Sequence, residues 1–217
     1  MKLEDAKIAL APIINVKIGK FITNEQMEDI IRNKGKTGQL LEIALGLNNT
    51  NTTLDFEDGE LKTNKCDKFG KSKETMFITQ INNIIDDLIS ERNFYDTHIY
   101  NKISNLLYVP ISKDGPPGEW MFLPFIHVNL EEDKYKDLRN HLEIDYYSIC
   151  RQLKTHIETS PDGYIHTSSG RFIQIRSKDS QPYHPIYSNI YNKYVSNKNH
   201  AFYFKKDFMK YIKYINL

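Results

Sequence analysis

The chain has 217 residues, 40% of them hydrophobic, and a mean hydropathy of −0.56, which describes a soluble globular protein of one large domain or two tightly joined lobes. No apolar run approaches the roughly 18 residues of a membrane helix and the start lacks the apolar core of a secretory signal, so a cytoplasmic protein without membrane contact is expected. The net charge of +1 hides an asymmetry: residues 151–217 carry 11 Lys and Arg against 4 Asp and Glu, or +7, and the first 150 carry 18 against 24, or −6.

Taken in order, residues 5–20 predict an apolar helical stretch around Ile8, Leu10 and Ile14, interrupted at Pro12. Thr23 then reads as an N-cap with Gln26 at the capping-box position, Met27, Ile30 and Ile31 as the buried stripe, and Gly35 as the stop. A second helix runs through Gly38, Gln39, Leu40, Leu41, Glu42 and on to Gly46, with Leu41 and Leu45 stacked at i, i+4. Glu42 lies off that stripe, where the bland expectation is a solvent-facing residue.

The stretch from Leu54 to Thr63 is chemically the densest. Asp58-Gly59 predicts a turn, on the ground that glycine tolerates positive φ. Beyond it, Glu60, Leu61, Lys62 and Thr63 alternate polar and apolar as in a strand, so Glu60 and Lys62 share one face while Leu61 enters the core. If the turn folds Asp55 back, two carboxylates and one ammonium converge. That trio suits metal-dependent phosphodiester hydrolysis: carboxylates hold Mg²⁺, and lysine orients an attacking water or neutralises developing charge. The same spacing also fits a solvated hairpin carrying an ion pair.

Further on, Met76 to Thr79 predicts a short strand beside this hairpin, Ile84 to Leu88 the start of a helix, and residues 104–111 a buried strand ending near Pro110. Residues 115–118 are a loop, 122–128 a strand with His127 near its end, and 131–157 a helix with Tyr135, Leu138, Leu142, Tyr146, Ile149 and Leu153 on one face. His127 reads as a structural histidine rather than a catalytic one. Phe172, Ile173 and Ile175 carry a strand, 182–199 an ordered irregular loop, 202–204 a strand, and 205–214 a helix bearing Lys206, Lys210 and Lys213. Cys66 and Cys150 lack partners at zinc spacing and read as reduced thiols.

The order Gly38-Gln39-Leu40-Leu41-Glu42, Leu45-Gly46, Asp55-Phe56, Glu60-Leu61-Lys62-Thr63 and Glu74-Thr75-Met76-Phe77 resembles the MutH mismatch-repair endonucleases and the GATC restriction enzymes related to them. In that family a G-Q-L-L-E helix precedes an aspartate, an E-L-K strand and an E-T-T-F strand. At the other end, Phe172-Ile173-Gln174-Ile175-Arg176-Ser177-Lys178 resembles the family's Y-L-Q-I-R-P-K segment, and residues 202–208 resemble its F-Y-L-K-K-N-F segment. Two departures stand out: four residues separate Asp55 from Glu60 where the family usually has six, and Ser177 replaces a proline.

The resemblance implies a restriction-endonuclease-like α/β (α+β) fold of the PD-(D/E)xK type. Its mixed sheet would be flanked by helices, and two lobes would form a cleft for duplex DNA. Residues 1–217 would then be one endonuclease domain, with a metal-holding catalytic lobe to about residue 150 and a basic DNA-reading lobe after it. It further implies Asp55 and Glu60 as Mg²⁺ ligands, Lys62 as the catalytic lysine and Glu42 as an auxiliary acid. Arg176, Lys178, Tyr203, Lys205 and Lys206 would face DNA, Tyr203 matching a tyrosine that senses adenine methylation. Expected is a Mg²⁺-dependent, sequence-specific endonuclease, in the first instance a type II restriction enzyme with GATC-like specificity, a cognate methyltransferase and a homodimer on DNA. The Asn-, Lys- and Ile-rich composition, which suggests an AT-rich genome, favours restriction. The alternatives are a mismatch-repair nicking enzyme with a MutL-like activator and a catalytically inactive DNA-binding module.

Overall fold

The computed structural model describes residues 1–32, 36–47 and 54–217, with the side chains of Asp29, Ile30, Lys36, Thr37 and Ile43 also outside the description. Seven helices are described: α1 (Leu3–Leu10), α2 (Asn24–Arg32), α3 (Lys36–Ala44), α4 (Ile85–Ile89), α5 (His98–Ile103), α6 (Lys136–Thr159) and α7 (Lys206–Ile215). Through the first two thirds of the chain run β1 (Glu60–Lys62), β2 (Lys65–Cys66), β3 (Met76–Gln80), β4 (Asn105–Tyr108), β5 (Ile111–Ser112), β6 (Met121–Phe122) and β7 (Ile126–Asn129). The last third adds β8 (Ser168–Ser169), β9 (Ile173–Ser177), β10 (Ile186–Ser188), β11 (Lys193–Ser196) and β12 (His200–Phe204). The architecture is mixed α+β. No described helix is long and apolar enough to cross a membrane.

Two compact units interleave along the chain: Met1–Glu74 with Asn105–Asn129 and Ile212–Leu217, and Thr75–Ser104 with Leu130–Tyr211. The change of net charge near residue 150 is thus a division by composition, and the compact units are drawn differently.

In the first unit β4 lies between a parallel β1 and an antiparallel β7, and β5 between a parallel β2 and an antiparallel β6. The two ladders are one set of strands interrupted where Pro110 has no N–H to give. Val109 and Ile111 donate to the carbonyls of Lys62 and Asn64, and Leu123 to that of Pro110, so the connection continues across the break. Leu61 and Leu107 face a core completed by Leu3, Ala6, Leu10, Leu40, Leu41, Leu45 and Phe56. Burying each such leucine contributes about 1.5–3 kcal/mol.

Local signals hold where they are strongest. The Thr23 hydroxyl accepts from the Gln26 N–H at 3.2 Å while the Gln26 side chain accepts from the Thr23 N–H at 2.9 Å, a reciprocal capping box. At the end of α3, Gly46 takes φ +69° and the Leu47 N–H bonds the Glu42 carbonyl at 2.9 Å, a Schellman closure. Other expectations shift. The first helix stops at Leu10 and buries Leu3, Ala6 and Leu10, leaving Ile8 76% exposed, because the core touches only one side of this short helix. Met27 packs on the core but Ile31 is exposed; the Ile30 side chain and Gly35 lie outside the described residues.

The second unit holds a four-stranded antiparallel sheet in the order β3-β12-β9-β8. Here β3 pairs with β12, not with the hairpin at β1 as expected from its sequence neighbourhood. One face of this sheet is apolar, with Met76, Ile78, Ile173, Ile175, Phe202 and Phe204 buried. Within the same unit α6 presents Leu138, Leu142, Tyr146, Ile149 and Leu153, all fully buried, as its period predicts. The stretch expected as an irregular loop contains a bulged hairpin, β10-β11, with Tyr187 and Tyr194 paired edge to face at 5.3 Å and Asn192 in the left-handed conformation its turn needs. Cys66 and Cys150 are free and buried, and burial pushes both thiols well above their ordinary value.

Candidate active site

The turn before β1 is held from several directions within the first unit. The Phe56 N–H donates to the Gly59 carbonyl at 2.9 Å, and Phe56 is buried, which anchors the turn to the core. The Asp58 carboxylate accepts the Leu3 N–H at 2.8 Å, capping α1 from a distance. The Asp58 carbonyl accepts from Asn105 Nδ2 at 2.5 Å, Asn105 Oδ1 contacts His127 Nε2 at 2.7 Å, and Lys7 Nζ contacts His127 Nδ1 at 2.8 Å. Lysine can only donate and an amide oxygen only accept, so the relay runs from Lys7 through a neutral His127 to Asn105 and the turn. His127 is thereby a bracing residue. Gly59 does not occupy the left-handed region; it is glycine because a Cβ there would stand 2.7 Å from the Asn105 carbonyl oxygen and 2.8 Å from Leu3 Cδ1. Close approach, not turn conformation, is what this glycine serves.

On that support the expected residues converge. Asp55 turns back so that its carboxylate accepts the Leu61 N–H at 2.9 Å. Glu60, only 1% exposed, is paired with Lys62, whose Nζ lies 2.5 Å from Glu60 Oε1. A carboxylate this deeply buried is tolerable only with such a partner. Leu61 between them enters the core, as the alternation predicts. Glu42 is not a solvent-facing helix residue. It is partly buried, and desolvation holds its carboxyl above the ordinary carboxylate range, helped by the neighbouring charges of Asp55 and Glu60 and opposed by Lys62. Four charged side chains from α3, the turn and β1 therefore share one electrostatic neighbourhood.

Clustered like charges are the situation a divalent cation relieves, and an all-carboxylate oxygen set is what hard cations such as Mg²⁺ select. Among the described residues no group of three or more His, Cys, Asp or Glu is arranged to enclose an ion. Mg²⁺ sites of the kind that keep several waters and take one or two carboxylates plus phosphate need no such cage. The donors present fit that type of site. Next to Lys62, the Thr63 hydroxyl is buried without a hydrogen-bond partner among the described residues.

In the second unit the expected DNA-facing residues separate into two sets. The Arg176 guanidinium lies 4.2 Å from the Tyr203 ring centroid, and Tyr203 meets Phe77 edge to face at 5.8 Å. Lys178 Nζ sits 3.6 Å from the centre of the Phe77 ring. Arg176, Tyr203, Phe77 and Lys178 thus form one aromatic and cationic face on β9, β12 and β3, opposite the apolar face. Phe77 was legible only as a strand residue; its pairing with Lys178 depends on the β3-β12 register. Lys205 and Lys206 stand apart from this group: Lys205 Nζ donates to the Gly170 carbonyl at 2.8 Å, and Lys206 is exposed at the start of α7.

A comparison with curated proteins finds no match. Residues 46–136, which include Asp55, Glu60 and Lys62, match the family described as DNA mismatch repair enzyme MutH. Glu42 and the residues of β9 and β12 lie outside the matched segment. The matched segment is thus similar to this family, and together with the mixed α+β architecture the likeness supports a nuclease acting on DNA.

Proposed function

We propose that the protein is a Mg²⁺-dependent, sequence-specific endonuclease that hydrolyses phosphodiester bonds in duplex DNA, and that it works as a type II restriction enzyme with GATC-like specificity. The observation that carries the nuclease reading is the convergence of Asp55, Glu60, Lys62 and Glu42 within a segment adjoining and overlapping the MutH-family match. Asp55 and Glu60 would hold the ion, which when bound polarises the scissile phosphate and lowers the pKa of a coordinated water. The chain's own groups do the rest. The Leu61 N–H fixes the Asp55 carboxylate, and Lys62 places a positive charge beside Glu60 where it can orient water or offset charge developing on phosphate. Glu42, with its raised affinity for protons, is suited to an auxiliary acid-base role. Arg176, Lys178 and Tyr203 supply the base-reading face, Arg and Lys as partners of guanine O6 and N7 and the tyrosine ring as an apolar contact for a methyl group. Lys205 and Lys206 would add phosphate contacts from the basic segment. A duplex cut on both strands calls for a homodimer or two successive nicks, and a restriction system includes a cognate methyltransferase.

A second reading is favoured by the description of the matched family: a mismatch-repair nicking enzyme that cuts the unmethylated strand and needs a MutL-like activator. Digestion of a defined plasmid with purified protein and Mg²⁺, on unmethylated and adenine-methylated DNA in parallel, separates the two. Discrete double-strand fragments without a partner support restriction, and mapping their ends names the site. Nicking alone, or only with the activator, supports repair. Specific binding without cleavage in Mg²⁺ would refute both in favour of a binding module.

A further inference from the structure

Beside the aromatic and cationic face, a cavity of about 480 Å³ opens between the end of β3, the loop after β9 and the start of β12, lined by Gln80, Asn82, Lys178, Asp179, Ser180, His184 and Asn199. The loop walls are fixed from inside. The Asp179 carboxylate collects the Ser180 N–H, the His184 N–H and imidazole Nδ1, and the Asn199 N–H, at 2.7–2.9 Å. The Lys178 N–H donates to the Asn199 carbonyl at 2.9 Å, which ties the lysine backbone to the same strand. Those four donors hold the Asp179 carboxyl far below the ordinary carboxylate range, the Asn199 N–H contributing most. Such a loop is pre-organised, not adaptable, and pre-organisation is what a recognition surface requires.

Two amides on the opposite wall have complementary halves committed. Gln80 Oε1 accepts from Asn199 Nδ2 at 3.1 Å, so the Gln80 amide nitrogen is left to donate and has no partner among the described residues. Asn82 Nδ2 donates to Asn83 Oδ1 at 3.0 Å, which leaves the Asn82 amide oxygen as an acceptor. One donor and one acceptor on one cavity wall match the major-groove edge of adenine, which offers N7 as acceptor and N6–H₂ as donor. Guanine offers two acceptors there and cytosine a single donor.

We infer that Gln80 and Asn82 form a base-edge reading site for an adenine in the target duplex, additional to Arg176 and Lys178. This rests on the reading of the protein as a site-specific DNA-binding enzyme. Asp179 acts as a positioning residue that holds the facing wall of the site without touching DNA.

The test uses the full-length protein and duplexes carrying the sequence mapped from its own plasmid cuts, with 7-deazaadenine placed at each adenine in turn. Binding is measured in Ca²⁺ so that no strand is cut. Expected is one adenine whose N7 removal weakens wild-type binding by roughly ten- to a hundredfold. At that adenine, Gln80→Ala should weaken binding to the natural duplex to a similar degree and lose nothing further with 7-deazaadenine. Asn82→Ala should lose discrimination between adenine and guanine at the same position. Affinity for a random duplex serves as the folding control and should be unchanged in both variants. If the wild-type protein selects a sequence and both variants select it equally well, the assignment of Gln80 and Asn82 is overturned while the endonuclease reading stands. If the wild-type protein shows no sequence preference at all, the site-specific reading fails and takes this assignment with it.

Discussion

Gly59→Ala probes the geometry of the candidate active site through a contact no charged residue makes. A methyl group at position 59 would lie 2.7 Å from the Asn105 carbonyl oxygen, 2.8 Å from Leu3 Cδ1 and 3.3 Å from Asn105 Nδ2. The leucine terminus can rotate, but the carbonyl belongs to β4, paired on both edges, and cannot. The turn itself must retreat by roughly half an ångström to restore ordinary contact, and overpacking of this kind costs about 1–3 kcal/mol. For a chain of this size that corresponds to a fall in Tm of about 2–12 °C. Because Asp55 and Glu60 flank the turn, the same retreat displaces both carboxylates. A misplacement of 1 Å costs about a hundredfold in rate, so Mg²⁺-dependent cleavage should fall between about 10- and 100-fold. Binding of duplex DNA without cleavage should stay near wild type, since no base-reading residue lies on the turn. Thermal melts, cleavage time courses and binding isotherms on one preparation give all three quantities. A Gly59→Ala protein that melts and cleaves like wild type would refute both the close packing at Asn105 and the placement of the carboxylates by this turn.

Other substitutions test single links. Lys62→Ala should abolish cleavage and spare DNA binding; an equal loss of both would remove Lys62 from its assigned role. Arg176→Ala should weaken specific binding far more than nonspecific binding, and a uniform loss over all sequences would make it a phosphate contact instead. Glu42 has its carboxyl pKa raised in the folded protein by desolvation first and then by Asp55 and Glu60. The folded state therefore holds this proton more tightly than the unfolded chain, and the stability it lends is present below the ordinary carboxylate value and lost as pH rises through the raised one. Glu42→Gln should then remove part of the fall in Tm across that window, and added Mg²⁺ should raise the Tm of the wild type more than that of the variant. A Tm–pH profile identical in the two proteins would contradict the clustering. Thr63→Val, which replaces a buried hydroxyl lacking a partner among the described residues, should change stability by less than about 1 kcal/mol in denaturant melts. A larger loss would reveal a partner for that hydroxyl.

What the sequence shows of this fold, and what it withholds, follows from how far each signal reaches along the chain. Thr23 and Gln26 find each other across a single turn, and Leu41, Leu45, Gly46 and Leu47 close α3 with their own backbone, so residue type and spacing suffice. The same holds for Glu60 and Lys62, whose shared face is a consequence of strand geometry alone. Pairings made at long range leave no such mark. Nothing in Met76 to Gln80 says that its neighbour is β12, more than a hundred residues later, so the strand was legible and its sheet was not. Tyr187 and Tyr194 make a hairpin of a stretch whose prolines, asparagines and serines read as loop, because cross-strand packing outweighs local turn preference. Glu42 is the sharpest case. Its position off the leucine stripe predicts solvent, yet the side chain is partly buried and feels the charge of Asp55. The support of the site is equally hidden: Lys7, His127 and Asn105 come from three distant segments and meet only behind Asp58. Residue types at fixed spacing can therefore nominate a reactive trio, while the groups that hold it in place emerge only from the packing of β1 against β4 and of α1 against the turn.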